Sequence, residues 1–527
     1  MDRFQEASRR SSLTTQASWL IAAKVASFVM NLAVPLIVVR LLDPYHFGLY
    51  RQAFLVVVTA QSLLPLSMGL SAYHFLPRLP DRAAETVSHI LLFLAAVGGS
   101  AFVALALWPR LLEALFREAA LVPYATLIGL TIALTIVSDF LETVTVAQQD
   151  IHLAVLFTVV GQFAKGALLI AAALVFSTLG ALLTAVAVQT LFQTIILLWY
   201  VRLRFPGSVL AFDRRLFATQ LSYALPFGLA GLVWRLEMDI HHYVVARRFG
   251  PAAYAIYAIG CLQVPLLGIL RDAVNSVLMP RVSLLQHRVA EPEILRLVVA
   301  ATRKLAAAHW PAYAYLIVMG PEFLTVLFTA QYRDSWPIFA VNLALVLLSV
   351  LAPTDAVLRA YSDQRKFLLR LRCLSLILLA VGLWWALPRY GMIGAVSVVV
   401  LITLLENVWI VRRVARLLHA RASDWALLKD FPRLAAAAVA AALFAAAGRA
   451  ALSPGSPLVS LALTAPLFAV TYAAFVWVLR IPTAEEKDTL RRLLLLIRNP
   501  WELVPRPVCL PSQRRDSPNE DQAANPD

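Results

Sequence analysis

The chain has 527 residues, 60% of them hydrophobic and 15% charged, with a mean hydropathy of +0.74. Soluble domains run at roughly 45–50% apolar and about 25% charged, so this is a polytopic membrane protein; its unbroken Leu/Ala/Val runs exclude a β-barrel, which needs alternating segments of about 10 residues. The net charge of +15 does not indicate nucleic acid, because no compact basic domain carries it.

In chain order, Arg3, Arg9 and Arg10 precede an apolar run from Ala17 to Leu42. That run is too long for a signal-peptide core and lacks a small-residue cleavage site, so it reads as an uncleaved first span. Fourteen helical spans are predicted, at 17–41, 52–77, 87–109, 121–147, 153–176, 181–201, 219–246, 252–279, 301–319, 336–358, 367–388, 392–411, 434–452 and 458–479. After the last, Thr483-Ala-Glu-Glu486 is a Thr-x-x-Glu capping box. The Leu/Arg run to Arg498 reads as an amphipathic helix on the membrane surface with Trp501 at the interface. From Pro505 onward the composition is that of a disordered tail. Cys261 and Cys373 fall in spans and Cys509 in the tail, which gives no disulfide framework.

Of the 46 Lys and Arg, 33 fall on the N-terminal side of the membrane, 9 on the other and 4 inside spans. The positive-inside rule then places both termini in the cytoplasm of a multi-pass cell-membrane protein. Loops on the opposite side are short, so no soluble domain is expected there.

The chain repeats itself. Arg40-Leu41-Leu42-Asp43-Pro44-Tyr45-His46-Phe47-Gly48-Leu49-Tyr50 returns in altered form as Arg247-Arg248-Phe249-Gly250-Pro251-Ala252-Ala253-Tyr254-Ala255-Ile256-Tyr257. Further landmarks recur in the same order. Pro77-Arg78 matches Pro280-Arg281, and Pro109 to Phe116 matches Pro321 to Phe328. Glu142 matches Asp355, and Gly180-Ala181 matches Gly394-Ala395. Six spans per copy is an even number, so the copies keep one membrane orientation and form a parallel repeat. The expected organisation is a six-helix bundle at 1–201, a cytoplasmic linker at 202–218, a second six-helix bundle at 219–412, two additional spans at 413–480 and a cytoplasmic tail at 481–527. The motif itself reads as a tight Pro/Gly connection, with Phe47, Tyr50, Tyr254 and Tyr257 anchoring at the interface.

Leu41 to Tyr50 resembles the LLGPxxFGxY signature of polysaccharide flippases in the multidrug/oligosaccharidyl-lipid/polysaccharide (MOP) exporter superfamily. Val277 to Ser283 resembles that family's LxPxxS end of the eighth helix, and Tyr390 to Ala395 its YGxxGA start of the twelfth. The likeness covers about residues 10–415. It implies an all-α fold of two six-helix bundles in a V, with an undecaprenyl-type lipid-linked oligosaccharide carried to the outer leaflet for surface or exopolysaccharide biosynthesis. It also implies membrane lipids, glycosyltransferases and a polysaccharide polymerase as partners. Lipid II flippases of the superfamily usually carry an arginine shortly before the proline of the eighth helix. Ile259 to Pro265 holds no charge here, a departure from that pattern.

An ionisable residue inside a span costs about 2.5–3.5 kcal/mol on insertion scales, so each one is a functional candidate. Lys24, Ser27 and Asn31 share a helical face, as do Thr158, Gln162 and Lys165, and Arg235, Asp239 and His242. Glu237 and His241 take the opposite face of the seventh span, and Arg271 and Asn275 lie one turn apart on the eighth. Lys24, Lys165, Arg235 and Arg271 are the candidate ligands for the carrier pyrophosphate, Arg as a bidentate fork and Lys as a point charge. The competing reading neutralises them in place: Arg235 with Asp239, Arg271 with Asp272, and Lys24 or Lys165 with Asp139. Glu237, Asp239 and Asp139 are candidates for coupling to H⁺ or Na⁺, while Asp355 and Glu406 read as solvated or loop-pairing acids. Adjacent His241 and His242 point about 100° apart, so no metal site is expected, and no cofactor motif or catalytic constellation appears. The reading is a transporter and not an enzyme. A cation-coupled multidrug antiporter and a lipid II flippase are the alternatives on the same fold.

Overall fold

The computed structural model describes residue 30 and residues 33–207, 212–288, 291–421, 424, 428–452, 455–483 and 486–488. Its helices in chain order are α1 (33–41), α2 (Pro44–Leu63), α3 (Ser71–Phe75), α4 (Ala83–Leu107), α5 (Arg110–Phe116), α6 (Ala125–Ser138), α7 (Phe140–Ala147), α8 (Ile151–Val175) and α9 (Leu179–Arg204). The remainder are α10 (Arg214–Gly260), α11 (Pro265–His287), α12 (Glu291–Phe328), α13 (Trp336–Asn342), α14 (Ala344–Ser349), α15 (Ala352–Ala360), α16 (Arg365–Leu417), α17 (Asp430–Leu452) and α18 (Pro457–Val478). Among the described residues, nine helices are long and apolar enough to cross a membrane, or eleven when each of two bent pairs is taken as one span. Two of the nine, α10 and α16, each run through two of the spans predicted from sequence. They turn at Gly250 (φ 77°) and Gly391 (φ 59°), in the left-handed region that glycine enters at no steric cost.

The repeated motif explains its own residues. Asp43 is the N-cap of α2, accepting from the backbone N–H of Tyr45 at 2.9 Å and of His46 at 3.1 Å, and Pro44 takes the first helical position. In the second copy Gly250 takes the place of Asp43, and Pro251 again opens a helix. The aromatics do not anchor at the lipid interface as expected. Phe47, Tyr50, Tyr254 and Tyr257 are 1%, 6%, 1% and 0% exposed, so they belong to the protein core. A Phe or Tyr beside a turn reads alike in sequence whether it faces lipid or protein.

Helix breaks also recur. The first repeat bends by 42° between α2 and the short helical segment ending at Phe75, through Leu66 and Ser67 at positive φ. In the second repeat the matching span opens at Cys261–Val264, where the freed carbonyl of Leu262 accepts from Asn342 Nδ2 at 3.1 Å. The fourth span is interrupted at Asp139 between α6 and α7, and the corresponding α13–α15 run bends by 49° before α15. Non-helical backbone at membrane depth requires a protein partner or a water-lined cavity; Cys261, Leu262 and Val264 find theirs against the main apolar core and Val350 in a smaller one.

The largest buried apolar cluster joins both repeats. From the second repeat it takes residues near the Gly250 end, among them Tyr254, Leu324, Phe328, Tyr332, Phe339 and Leu387. The other end of the second repeat forms a separate cluster around Leu278, Val282, Val298, Val357, Leu371 and Val414, with no buried member from the first. At the face opposite Asp43 and Gly250, α11, α12, α15 and α16 of the second repeat therefore pack among themselves, while α10 joins the first repeat at both ends: at the Asp43 and Gly250 face, called here the motif face, and at its start, where Gln220 bonds His89 at 2.8 Å and Asp213 pairs with Arg82.

Helices α17 and α18 pack on α12. Arg303 of α12 bonds Asp430 at 3.2 Å, the carbonyl of Ile481 at 3.2 Å and the carboxylate of Glu486. Glu486 Oε2 accepts from Thr483 N at 2.9 Å while Thr483 Oγ1 accepts from Glu486 N at 3.4 Å, which is the predicted capping box. The rest of the predicted tail helix, with Trp501 and Cys509, lies outside the described residues. Arg303→Met removes three partners at once from a guanidinium only 13% exposed. The expected loss is about 2–3 kcal/mol, read as a lowered melting temperature in detergent; an unchanged melting temperature would show that the node does not dock the last two helices.

Candidate functional site

Three of the four predicted basic residues are described; Lys24 lies outside the described residues, as does its helical neighbour Asn31. Each of the three sits with an acid. Arg235 Nε lies 2.5 Å from Asp239 Oδ2, which also accepts from Thr59 of α2 at 2.5 Å. Lys165 of α8 lies within electrostatic reach of Asp139, whose carboxylate accepts from Gln61. Arg271 pairs with Asp272, its exposed chain neighbour, at 3.1 Å. The in-place pairings weighed from sequence are thus found at both arginines, the Arg235–Asp239 pair largely buried and the Arg271–Asp272 pair exposed.

The surroundings of Arg271 are polar and incompletely satisfied. Asn275, one turn on, has a buried side-chain oxygen with no hydrogen-bond partner among the described residues. His309 of α12 lies within electrostatic reach of Arg271. Its Nδ1 is 2.9 Å from the Leu305 carbonyl, and its buried Nε2 has no partner among the described residues. Unmatched buried polar atoms beside an accessible guanidinium suit a polar ligand. A separate cavity of about 550 Å³ at the α11–α12 turn is lined by Arg281, Arg288 and Arg296 and by Glu293, with Leu284, Leu285 and Leu297.

The opposite faces predicted for the seventh span are realised. Asp239 turns to the first repeat, while Glu237 turns to the second, where Arg372 of α16 lies 3.2 Å from it and 2.9 Å from Glu406. Both glutamates are 5% exposed, and Glu406 Oε1 has no hydrogen-bond partner among the described residues. This corrects one expectation: Glu406 is not solvated but paired with Arg372. The available signal was that Arg372 and Glu406 lie at similar separations on either side of the Gly391 turn, which brings them level on neighbouring helices. Asp355 pairs with Arg359 one turn on in the same helix, at 2.7 Å. His241 and His242 go to different partners, Tyr257 Oη at 2.7 Å and Tyr254 Oη at 3.4 Å.

A motif-bearing tandem repeat, broken spans and charged side chains at the breaks describe a transport scaffold, and comparison with known proteins agrees. The polysaccharide biosynthesis protein family matches residues 37–337, more than half of the chain. The chain belongs to that family. Its match runs from the end of α1 through the linker and into α13, so it spans the first repeat from residue 37 onward and both copies of the motif. Among solved structures, the lipid II flippase MurJ in an inward closed conformation aligns with a TM-score of 0.68 at 12% identity, covering 87% of this chain and 99% of that one. An inward-facing multidrug resistance MATE transporter of the MOP superfamily aligns at 0.58 and 16% identity, covering 75% and 96%. A MOP superfamily transporter from Pyrococcus furiosus aligns at 0.51 and 17% identity, covering 76% and 94%. No curated protein matches the sequence. At such identities the likeness is one of fold. The protein is a multi-pass membrane member of the polysaccharide biosynthesis family with the fold of MOP-superfamily transporters.

Proposed function

We propose that the chain flips an undecaprenyl-type lipid-linked oligosaccharide from the cytoplasmic to the outer leaflet by alternating access, for surface or exopolysaccharide biosynthesis. The observation that carries this reading is the family match across both motif copies, joined to a fold whose repeats share an apolar core at the motif face while α11, α12, α15 and α16 form a cluster of their own at the other. The Lys/Arg-rich face, with both termini, is cytoplasmic. Residues 1–201 and 219–412 are the two rocking bodies, connected by 202–218. The carrier pyrophosphate engages Arg271 first, with Arg235, Lys165 and Lys24 as further ligands once their acids let go. Glu237 with Glu406, Asp239 and Asp139 carry the coupling H⁺ or Na⁺. Glycosyltransferases supply the cargo inside and a polymerase receives it outside.

Deletion of the gene should remove a surface glycan and accumulate its carrier-linked precursor inside the cell. Complementation with Arg235→Ala plus Arg271→Ala should leave protein in the membrane at the parent level and reduce surface glycan at least tenfold. Full export by the double variant would refute the pyrophosphate assignment. Accumulation of lipid II instead of a glycan precursor would favour the lipid II reading. Unchanged glycan with a gain in drug sensitivity would favour the antiporter.

A further inference from the structure

The two arginines that open the motif copies form a reciprocal pair of ties between the repeats. Arg40, at the end of α1, donates from Nη2 to the carbonyl of Val326 in the last turn of α12 at 2.6 Å. Arg247, its counterpart in the second copy, donates from Nη1 to the carbonyls of Ala114 and, at 3.4 Å, Leu115 in the last turn of α5. Ala114 and Val326 are themselves counterparts, each the sixth residue of the Pro109–Phe116 and Pro321–Phe328 landmarks. The carbonyl before each, of Glu113 and of Thr325, is taken by the backbone N–H of Arg117 and of Thr329. The next carbonyl is one of those that a helix end leaves without a backbone partner, and the arginine from the other repeat takes it. A cation at a helix C-terminus is favoured by the peptide dipoles as well as by the hydrogen bond.

Between the two ties the motif copies touch directly. A Cβ on Gly48 would stand 2.9 Å from Pro251 Cα and overlap its carbonyl. Two aromatic contacts flank the ties: Phe116 stacks on Tyr243 with ring centroids 5.6 Å apart, and Phe47 meets Tyr332 edge-on at 5.9 Å. All of these contacts lie at the motif face, where the apolar core is shared. At the opposite end α11, α12, α15 and α16 pack in their own cluster, while the start of α10 stays bonded to the first repeat through Gln220 and His89.

We propose that Arg40 and Arg247 are paired positioning residues that hold the repeats together at the motif face, and that this face opens only when both ties release. Two equivalent ties, one leaving each repeat, resist separation from either body. Loss of one leaves the other in place, so opening depends on both. The use of that opening for cargo exit rests on the flippase reading; the ties themselves do not.

The test uses the full chain in lipid vesicles with Cys261, Cys373 and Cys509 replaced by Ser or Ala. Spin labels at exposed Arg110→Cys and Asp334→Cys report the separation across the motif face by pulsed electron resonance. The parent should give one short distance. Arg40→Gln plus Arg247→Gln should move most of the population to a distance about 10 Å or more longer, a shift of at least tenfold in the open-to-closed ratio. Each single variant should move it less than half as far, and Arg40→Lys plus Arg247→Lys should restore most of the short distance, since an ammonium still donates to a carbonyl. A folded double Gln variant with the parent distance overturns the proposal. If the double variant does not fold, the two single Gln variants are measured instead; a single variant that already moves most of the population to the longer distance overturns the proposal. A longer distance together with parent-level glycan export supports the ties and refutes their use in export.

Discussion

Arg372→Met will destabilise the protein by about 3–5 kcal/mol, the usual cost of removing one partner from a buried ionic set. The guanidinium is shared by Glu237 at 3.2 Å and Glu406 at 2.9 Å, and each carboxylate is 5% exposed. Without it, two like charges face each other away from water, and Glu406 already has one oxygen without a hydrogen-bond partner among the described residues. The loss should appear as poor yield and a melting temperature lowered by many degrees in detergent. The cause is separable from simple loss of packing. Methionine keeps most of the side-chain volume, so an added Glu237→Gln and Glu406→Gln pair should return most of the stability, because the buried charge is then gone. The triple variant should remain defective in export if either glutamate carries the coupling ion. A stable Arg372→Met single variant would mean that water reaches the site and that the triad is not a closed ionic set.

The spans were legible because a bilayer demands about 20 apolar residues per crossing and nothing else in a chain produces that pattern. The repeat was legible because a helix start needs an N-cap and tolerates proline at its first position, so Asp43-Pro44 and Gly250-Pro251 punctuate matching places. Helix length was not legible. The span predicted at 301–319 belongs to a helix from Glu291 to Phe328, since Arg296, Arg303 and Lys304 end an apolar run without ending helical hydrogen bonding. The partners of buried charges were hidden for a related reason. Periodicity tells which residues share a face of one helix, as it did for Glu237 and Asp239, but not which neighbouring helix that face meets. Arg372 was lost this way, at the edge of a predicted span where an arginine usually reaches solvent.

Gly228→Ala and Gly231→Ala, three residues apart on α10, will act in opposite directions. A Cβ at Gly228 would stand 2.7 Å from Leu66 Cα and 2.6 Å from its carbonyl carbon, both backbone atoms, so no side chain can rotate away. A Cβ at Gly231 meets nothing within 4 Å. The first substitution should cost about 3 kcal/mol, the upper end of overpacking penalties. The second should stabilise by about 0.4–1 kcal/mol, because alanine restricts the unfolded chain and suits a helix interior. Leu66 sits in the break of the second span at φ 46°, so the glycine is what lets α10 lie against that break. Seven residues before it along α2, Thr59 donates to Asp239 at 2.5 Å. A wedge at Gly228 should therefore loosen the Thr59–Asp239–Arg235 contacts as well as lower the melting temperature. Restoring stability with an independent surface substitution would leave an export defect in the Gly228 variant and none in the Gly231 variant. Equal behaviour of the two would show that α10 does not depend on backbone contact with the break, and that the polar site on its face is positioned from the second repeat alone.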